Sequence, residues 1–379
     1  MRIVHVLTRL LRAGSEENTL MTCRGQLEKG HEVIVLHGRE STPDHARSLA
    51  PGAEFIAIPA LRREVRPLDD VTAFVQLRRA FERLSPDVVH THQSKAGIVG
   101  RFAARAAGVP LIVHGVHILP FLGETGAKKA AYLLAERGAA RVTDAFIHVS
   151  EGMKTACLTH RVGVGRPHHV VWSGFDLQRF AKAQPPEDWP EILGVDAESP
   201  RPPVITMVSS LEPRKNHLEL IDHLPRLFDR FPDVRIVLAG EGSMQDPIRA
   251  RIAGMGLQDR VRLLGFRSDP ERLIAMSDIC VHCSAREGLP RVVLQYLVAG
   301  RPVVMFHLPG IEDVATDGQN ARIVPQNDWG AFLDALSGLL ADPEARRRMS
   351  GGSDLSRWDG ALMGEATLAV YRAHAQAHP

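Results

Sequence analysis

The strongest constraint on the fold is an alternation of short apolar strands and amphipathic helices along most of the chain. Runs such as RIVHVLT at residues 2–8 and EVIVLH at residues 32–37 are predicted strands, and a helix is predicted between them from about Ser15. The strands are apolar throughout, rather than alternately polar and apolar, which indicates sheets covered on both faces. The pattern therefore predicts doubly wound α/β domains with parallel sheets.

The alternation is interrupted once, in a proline-rich segment without a sustained hydrophobic period. Such segments are typical of connections between domains, and a chain of 379 residues exceeds the size at which one core stops growing. We therefore predict four parts: a first domain at 1–182, a linker at 183–202, a second domain at 203–355, and a C-terminal helix at 356–379 that packs back on the first domain.

Charge is distributed unevenly between the two halves. Residues 1–182 contain 25 Lys and Arg against 17 Asp and Glu, whereas residues 183–379 contain 21 against 27. A content of 44% hydrophobic and 24% charged residues is ordinary for a folded protein and excludes a disordered or fibrous chain. The basic first half and the acidic second half indicate different partners for the two domains, and we expect no nucleic acid among them.

Signals for targeting and for the membrane are weak. The N-terminus lacks the long apolar run and the small-residue cleavage site of a signal peptide. Residues 106–123 carry no formal charge, but their two prolines, two histidines and three glycines suit a spanning helix poorly. A buried strand followed by a loop is predicted there instead. We expect a cytoplasmic protein that associates peripherally with the inner face of the cell membrane.

Two groups of residues have spacings found in metal sites. Cys280 and Cys283 form a CxxC pair, but no second pair follows, and the surrounding DICVHCS predicts a buried strand. His90 and His92 are two apart in VVHTH and so lie on one face of a strand. They could bind a metal with a nearby carboxylate, but a role in loop structure or acceptor contact is favoured. We predict no metal site.

Three common signatures of α/β proteins are absent from the sequence. The glycines at 240 and 242 follow a predicted strand, but Gln245 stands where the GxGxxG dinucleotide fingerprint requires its third glycine. Neither a GxxxxGK[ST] phosphate loop nor a GxSxG nucleophile elbow occurs. These absences argue against a Rossmann dehydrogenase, a P-loop nucleotidase and the commonest α/β hydrolases.

The most informative segment is SAREGLPRVVLQYLVAGRPVVMFHLPGIEDVATDGQN, at residues 284–320. Glu287 lies between a predicted strand and a predicted helix, at the strand end where ligands of parallel sheets bind. The helix that begins near Arg291 directs its free backbone N–H groups and positive dipole end to the same space. Gln295 follows on that helix, eight residues after Glu287. We therefore expect a ligand-binding turn here.

These motifs resemble the nucleotide-sugar signature of the retaining glycosyltransferases of family 4. EGLP, AGRPVV and PGIEDVATDG carry the resemblance, together with MVSSLEPRKNH earlier in the second half. RAGSEENTL resembles the family's N-terminal glycine loop and first helix, and DVVHTHQSKAGIVGRFAARAAGVPLIVHGVH resembles the end of its N-terminal domain. The resemblance implies the GT-B architecture, in which two doubly wound, Rossmann-like α/β domains face a central cleft.

The resemblance also implies roles for individual residues. Glu287 matches the acidic residue that holds hydroxyls of the donor sugar, and Lys215, with Arg214 beside it, matches the lysine that neutralises the donor diphosphate. His117 matches a histidine near the donor sugar, so His117 and Glu287 are the expected catalytic residues. At Gly14, the lack of a side chain would let the backbone approach the phosphates. The further expected donor-binding residues are Leu289, Arg291, Val292 and Gln295.

Two positions depart from the family pattern. Gln295 stands where the family usually has a second glutamate that binds the nucleotide ribose, and Ser210 stands where it often has an arginine. A glutamine can still donate to and accept from ribose hydroxyls, although it carries no charge. Loss of the arginine removes one diphosphate contact. We interpret both as variation within a subgroup of active enzymes.

The implied reaction moves a sugar from a UDP- or GDP-sugar to a glycan or lipid-linked glycan of the bacterial envelope type, with retention of anomeric configuration and no required cofactor. Two alternatives stay open: a sugar-nucleotide epimerase with the same fold, and a catalytically weak nucleotide-sugar-binding protein. Product formation without an acceptor would indicate the epimerase. Absence of donor turnover would indicate the binding protein.

Candidates for the acceptor or membrane side lie in the first domain. Residues 118–122 form an apolar run after His117, and a helix with several basic residues follows. An apolar loop beside a basic helix fits an anionic membrane surface. The alternative is that the run is buried against the sheet and the basic residues are merely solvated. The candidate residues on this side are His92, Lys95, Phe121, Lys128 and Lys129.

Overall fold

The computed structural model describes residues 1–11, 14–287, 289–350 and 354–375. These residues divide into two compact units. The first unit is formed by Met1–Phe175 together with Ser356–Pro379, and the second by Asp176–Leu355. Each unit has its own parallel sheet and its own hydrophobic core, so the prediction of two doubly wound α/β domains is confirmed.

The sheet of the first unit has seven strands, and every neighbouring pair is parallel. The strand order is β3-β2-β1-β4-β5-β6-β7, so the direction of the connections reverses between β1 and β4. Loops at the carboxyl ends of these two strands diverge, which opens a crevice for ligands. The strands are β1 (Arg2–Leu7), β2 (Glu32–His37), β3 (Glu54–Ala57), β4 (Val88–His92), β5 (Leu111–Val116), β6 (Ala145–His148) and β7 (His168–Val170).

Helices cover both faces of this sheet, and a short 3₁₀ turn at Pro120–Gly123 follows β5. None of the helices in the described parts of the chain combines the length and the apolar character needed to cross a bilayer. The helices are α1 (Gly14–Glu28), α2 (Pro43–Leu49), α3 (Pro67–Leu84), α4 (Ser94–Ala106), α5 (Gly126–Ala140), α6 (Glu151–Thr159) and, from the end of the chain, the helix Gly360–Ala375.

Apolar residues of α3 lie on two sides of the helix. Leu77 and Phe81 are buried against the sheet, as their spacing predicts. Leu68 and Val71, which contribute to the same helical spacing in the sequence, are 86% and 64% exposed. The periodicity therefore predicts the helix correctly, but Leu68, Val71 and Val75, three of the five apolar residues that define it, are exposed.

The C-terminal helix, Gly360–Ala375, packs against α1 in the first unit. Gly25 and Gly364 meet at the crossing, where a Cβ added to either would come within 3.0 Å of the other's Cα. Its side chains Met363 and Tyr371 join a core cluster with Ile3 of β1. The first and last parts of the chain therefore build one core.

The sheet of the second unit has six parallel strands in the order β10-β9-β8-β11-β12-β13. The connections reverse direction between β8 and β11, as they do between β1 and β4. The edge strand β13 pairs with β12. The strands are β8 (Val204–Val208), β9 (Arg235–Ala239), β10 (Val261–Leu263), β11 (Ile279–His282), β12 (Val303–Phe306) and β13 (Ala321–Val324).

The proline-rich segment belongs to the second unit. It contains a five-residue helix, Trp189–Leu193, whose Ile192 and Leu193 are buried in a cluster with Val204 of β8. The helices of the second unit, with the last one of the first unit, are α7 (Leu177–Ala181), α8 (Trp189–Leu193), α9 (His217–Arg230), α10 (Gln245–Gly254), α11 (Pro270–Met276), α12 (Arg291–Val298), α13 (Trp329–Ala341), α14 (Pro343–Met349) and α15 (Gly360–Ala375).

Candidate functional site

Two loops meet where the strand order of the second sheet reverses. The loop after β8 ends in a 3₁₀ turn at Pro213–Lys215, and the loop after β11 carries Glu287 shortly before α12. Asn216 adopts the left-handed conformation and its side chain donates to the carbonyl oxygen of Cys283 at 2.9 Å. This hydrogen bond connects the two loops. They lie side by side because the carboxyl ends of neighbouring parallel strands are at the same edge of the sheet.

Glu287 is the centre of a charged cluster in this position. Its Oε2 accepts a hydrogen bond from Nη1 of Arg214 at 2.8 Å, and its Oε1 forms an ion pair with Nζ of Lys215. Ser284 Oγ also donates to Oε1, at 2.9 Å. The Lys215 and Glu287 side chains are only 9% and 11% exposed, so this is a buried ion pair. The structure brings together Glu287, Lys215 and Arg214, the residues that the sequence predicts for a nucleotide-sugar site.

The cations outweigh the effect of burial on Glu287. Burial alone would raise the pKa of its carboxyl group, but Lys215 and Arg214, joined by His282 once that ring is protonated at low pH, lower the pKa to about 2. For Lys215 the balance is the opposite, since burial lowers the pKa of the ammonium group despite the attraction of Glu287. Glu287 is therefore a firmly ionised carboxylate with weak basicity.

His282 is a member of this cluster that sequence reasoning missed. It ends β11, is 1% exposed, and its Nε2 lies 3.8 Å from Oε1 of Glu287. Burial lowers its pKa to about 3, so the ring is neutral at physiological pH. Its position at the carboxyl end of a central strand is the sequence signal that indicates this site.

The other donor-binding candidates of the second unit lie at the start of α12. Leu289, Arg291, Val292 and Gln295 are all half-buried there, and Ser210 is half-buried after β8. Gly288, within the EGLP motif, is outside the residues that the structure describes.

In the first unit, Gly14 is the exposed first residue of α1. The preceding part of the predicted glycine loop, residues 12 and 13, is likewise outside the described residues. His117, the other expected catalytic residue, follows β5 and is half-buried.

A second polar cluster surrounds His117. Its Nε2 lies 2.9 Å from Nδ1 of His92, and Nε2 of His92 lies 2.9 Å from Nδ1 of His5. His92 and His5 are buried on β4 and β1, the two strands between which the order of the first sheet reverses. A Cβ on Gly115 would lie 2.8 Å from the His92 ring, so β5 requires a glycine beside this cluster.

Burial keeps the imidazoles of His5, His90 and His92 neutral. It lowers the pKa of His5 to about 4, and it lowers the pKa values of His90 and His92 well below the ordinary value of 6.5. The neighbouring histidines add to this effect for His90 and His92, because a proton on one ring repels a proton on the next.

Several residues predicted for the acceptor or membrane side are not available for those contacts. Phe121 is fully buried and packs on the ring of His160, with centroids 5.0 Å apart, so the expectation that it faces a membrane or an acceptor is wrong. His92 is 2% exposed and contacts other histidines instead. Lys95 is mostly buried in an ion pair with Asp70.

At the start of α5, Lys128 is exposed and Lys129 is half-buried. The Lys128 side chain is 64% exposed and pairs with Glu124 at 2.8 Å. These two residues keep the basic surface that the sequence predicts for this helix.

Family models match both units. Residues 13–173 match a glycosyl transferase 4-like domain, and residues 190–353 match the glycosyl transferases group 1. A galactosyltransferase of Escherichia coli, named UDP-Gal:alpha-D-GlcNAc-diphosphoundecaprenol alpha-1,3-galactosyltransferase, is 31% identical over 290 residues, which cover 75% of this chain and 74% of the relative. The phosphatidyl-myo-inositol mannosyltransferase of Mycobacterium leprae is 27% identical and covers 94% of this chain and 92% of its own.

Solved structures show the same architecture. The crystal structure of Anabaena HepE with UDP-glucose has a TM-score of 0.81 at 20% identity and covers 98% of this chain and all of its own. Sucrose-phosphate synthase from Thermosynechococcus elongatus has a TM-score of 0.80 at 18% identity, with full coverage of both chains. The GT-B fold predicted from the motifs is confirmed.

Proposed function

The chain belongs to the group 1 glycosyltransferases, and we propose that it transfers a sugar from a UDP- or GDP-sugar to a hydroxyl of a glycan or lipid-linked glycan acceptor. The observation that carries the proposal is the cluster of Glu287, Lys215 and Arg214 at the reversal point of the second sheet. It offers two cations for a diphosphate and a carboxylate for sugar hydroxyls within one small space.

Binding of the donor would redistribute the partners within this cluster. A diphosphate is an anion that competes with Glu287 for Lys215 and Arg214, and charge-assisted hydrogen bonds of this kind are among the strongest in proteins. Each cation that turns to the diphosphate leaves acceptor capacity on the Glu287 oxygens. Hydroxyl groups of the donor sugar can then donate to them.

The same cations would stabilise the leaving group. As the bond between the sugar C1 and the phosphate oxygen breaks, negative charge develops on the diphosphate, next to Lys215 and Arg214. A carboxylate whose oxygens accept hydrogen bonds from sugar hydroxyls is a poor nucleophile, so Glu287 is unsuited to a covalent intermediate. We therefore propose front-face transfer with retention: the acceptor oxygen bonds to C1 on the face that the phosphate leaves, and the departing phosphate oxygen takes the acceptor proton.

The relatives support the two substrate classes. The name of the Escherichia coli relative gives UDP-galactose as its donor and a diphosphoundecaprenol-linked sugar as its acceptor, and that of the mycobacterial relative gives phosphatidyl-myo-inositol. Anabaena HepE was solved with UDP-glucose. A nucleotide-sugar donor and a lipid-linked acceptor are therefore the first pair to test.

A binding screen with UDP, GDP and their sugars tests the donor. We expect one nucleotide series to raise the melting temperature of the wild-type protein, since a ligand that binds only the folded state stabilises it. Glu287→Ala should weaken binding of the complete sugar nucleotide more than binding of the bare nucleoside diphosphate. If neither nucleotide series binds, the proposal is wrong. Product that forms without acceptor would indicate an epimerase, and donor binding without turnover a binding protein.

A lipid-linked acceptor would bring the protein to a membrane. The surface we propose for this contact is the start of α5 with Lys128 and Lys129, next to Ile118 and Leu122, which are 45% and 43% exposed. Each basic residue near an anionic leaflet contributes about 1 kcal/mol. Phe121, which the sequence adds to this surface, contributes nothing because its ring is buried.

Co-sedimentation with vesicles tests this surface. Binding should increase with the anionic lipid fraction, decrease with salt, and weaken in Lys128→Glu/Lys129→Glu. The matched control is Arg347→Glu/Arg348→Glu, which reverses two adjacent, exposed charges in the second unit. Equal loss in both double variants would mean that only net charge matters, and binding indifferent to lipid charge would exclude electrostatic docking.

A further inference from the structure

A row of hydrogen-bonded imidazoles runs from the interior of the first unit to His117. We call it the histidine row, and its members are His5, His92 and His117, joined by two ring-to-ring contacts of 2.9 Å. The inner end is anchored by Gln26 of α1, whose Oε1 lies 2.8 Å from Nε2 of His5. His5 and Gln26 are fully buried, and His92 almost so. Water therefore has little access to the inner links.

The orientation of the Gln26 side-chain amide determines which ring nitrogen of His5 carries the proton. Its amide nitrogen donates to the hydroxyl of Tyr371 on α15 at 3.4 Å, and that hydroxyl lies 2.6 Å from Nδ1 of His90. The carbonyl oxygen of Gln26 consequently faces His5. Because a carbonyl oxygen can only accept, the proton of this contact is on Nε2 of His5.

The remaining protons follow one after another. In a neutral imidazole one nitrogen donates and the other accepts, and burial holds His5 and His92 in their neutral forms by lowering their pKa values. With the proton of His5 on Nε2, its Nδ1 accepts from Nε2–H of His92. The Nδ1 of His92 then accepts from Nε2–H of His117.

We propose that His5 and His92 are positioning residues that hold His117 as its Nε2–H tautomer, which makes Nδ1 the acceptor atom of its ring. A neutral ring that presents an acceptor selects a hydroxyl over a phosphate oxygen, which has no proton to donate at neutral pH. The identity of the bound group rests on the proposed function, whereas the tautomer of His117 does not.

A metal ion is the alternative occupant of this region. One ring nitrogen from each of His5, His90 and His92 lies within 4.8 Å of the others, and Nε2 of His90 has no hydrogen-bond partner among the described residues. The 2.9 Å contact between His5 and His92 has the length of an N–H···N hydrogen bond. Both nitrogens of His5 are engaged in such contacts, which favours protons over a metal.

Nitrogen-15 NMR of the full-length protein with labelled histidines tests the proposal directly. Protonated and unprotonated ring nitrogens resonate far apart, so two-bond correlation spectra identify each tautomer, and histidine-to-glutamine variants assign the signals. We expect His92 and His117 of the wild-type protein in the Nε2–H form. Finding His117 as the Nδ1–H tautomer, or doubly protonated at pH 7.5, would overturn the proposal.

The decisive variants change His5, which does not touch His117. In His5→Asn the side-chain oxygen replaces Nδ1 as acceptor for His92, so His117 should keep the Nε2–H form. In His5→Leu that acceptor is lost, and His92 and His117 should both shift toward Nδ1–H. If His5→Leu does not fold, Gln26→Met is the alternative. It removes the acceptor for Nε2–H of His5 and should likewise shift His92 and His117 toward Nδ1–H. An unchanged His117 tautomer in the folded variants would contradict the proposal.

Two further measurements separate the possible failures. In transfer assays kcat/KM should fall about tenfold in His5→Leu, the value of one hydrogen bond, and much less in His5→Asn. A wild-type protein with the predicted tautomers but no transfer would refute the proposed function and leave the row intact. If elemental analysis finds a stoichiometric metal that is lost in His90→Ala, this region is a metal site and the proposed hydrogen-bonded row is wrong.

Discussion

The polar cluster on β1 and β4 consists of imidazoles, whereas the cluster that follows β8 and β11 consists of a carboxylate and two cations. Both occupy the point at which the strand order of their sheet reverses. The first cluster avoids buried charge, because burial lowers the pKa values of its histidines until they are neutral. The second retains its charges by pairing Glu287 with Lys215 and Arg214.

This difference predicts how each cluster responds to change. A buried ion without a partner destabilises the folded state, so removing one member of the charged cluster should lower the free energy of unfolding. A neutral hydrogen bond contributes about 1 kcal/mol, so single changes in the histidine row should cost less stability and act mainly through proton positions. At low pH the histidine cluster should lose more stability than the charged cluster, because protonation charges the buried imidazoles while Glu287 stays ionised.

Replacing Glu287 by alanine should have the largest effect. Transfer should fall by about a hundredfold or more, and unfolding free energy by about 3 kcal/mol, because Lys215 loses its buried partner. Steady-state kinetics and urea denaturation measure the two losses. The control Glu212→Ala removes the 45%-exposed partner of Arg214 and should cost at most about 1 kcal/mol. A stable Glu287→Ala with full activity would contradict the assignment of the site.

Lowering the pH from 7.5 to 5 should destabilise the first unit more than the second. Histidines of the unfolded chain bind protons below about pH 6.5, but His5 in the folded state does so only near pH 4. The unfolded state therefore binds more protons in this window, and stability falls as the pH falls through it. At pH 5, His5 alone accounts for a loss of about 2 kcal/mol.

The second unit should respond less over the same range. The carboxylate of Glu287, with its pKa near 2, contributes stability that is lost only below about pH 4.5, and of its histidines His217 and His282 behave like His5. Tryptophan fluorescence separates the units in two double variants: Trp189→Phe/Trp329→Phe retains tryptophans only in the first unit, and Trp172→Phe/Trp358→Phe only in the second. Equal losses of stability in both units would contradict the predicted difference between them.

Lys215→Ala tests the diphosphate contact of the charged cluster. Affinity for the bare nucleoside diphosphate should fall about tenfold or more, since one charge-assisted hydrogen bond is lost. Calorimetric titration of the wild-type protein and the variant measures it, with the exposed Lys182→Ala as the matched control. Identical affinities in wild type and Lys215→Ala would remove this residue from the donor site.

Gln295→Glu should have the smallest effect. If Gln295 faces the ribose hydroxyls, a carboxylate restores the pattern usual in the family, and donor affinity should stay within about threefold or increase, because charged acceptors bind hydroxyls more strongly. The same titration applies. A large loss of affinity in a folded variant would mean that α12 presents a different face to the nucleotide.

Local patterns in the sequence predict the two parallel sheets but not which distant side chains meet. Apolar runs identify β1 and β4, and the motifs identify Glu287 and Lys215 as a pair. The short β13, with its exposed and half-buried central residues, has too weak an apolar run to be predicted. Phe121 looks like a surface residue in an apolar run, and its burial against His160 depends on the packing of α6, which no local period encodes.

The contacts of the histidine row cannot be predicted from local sequence patterns. The spacing in VVHTH places His90 and His92 on one face, but His5 is 87 residues from His92 in the chain and meets it only through strand pairing. The direction of the protons depends on Tyr371, near the other end of the chain. Hydrogen-bond direction is a property of the assembled core rather than of any segment.

The contribution of α15 to the first core has a consequence for the order of events during synthesis. Ile3 leaves the ribosome before the second unit is translated, yet its cluster includes Met363, Leu368 and Tyr371, which are translated after that unit. The nascent first unit can form its sheet early, but one face of that sheet stays uncovered while the whole second unit is translated. Emergence of α15 is therefore the step that completes the core of the first unit, and a chain stalled before α15 would expose apolar surface that the complete unit buries.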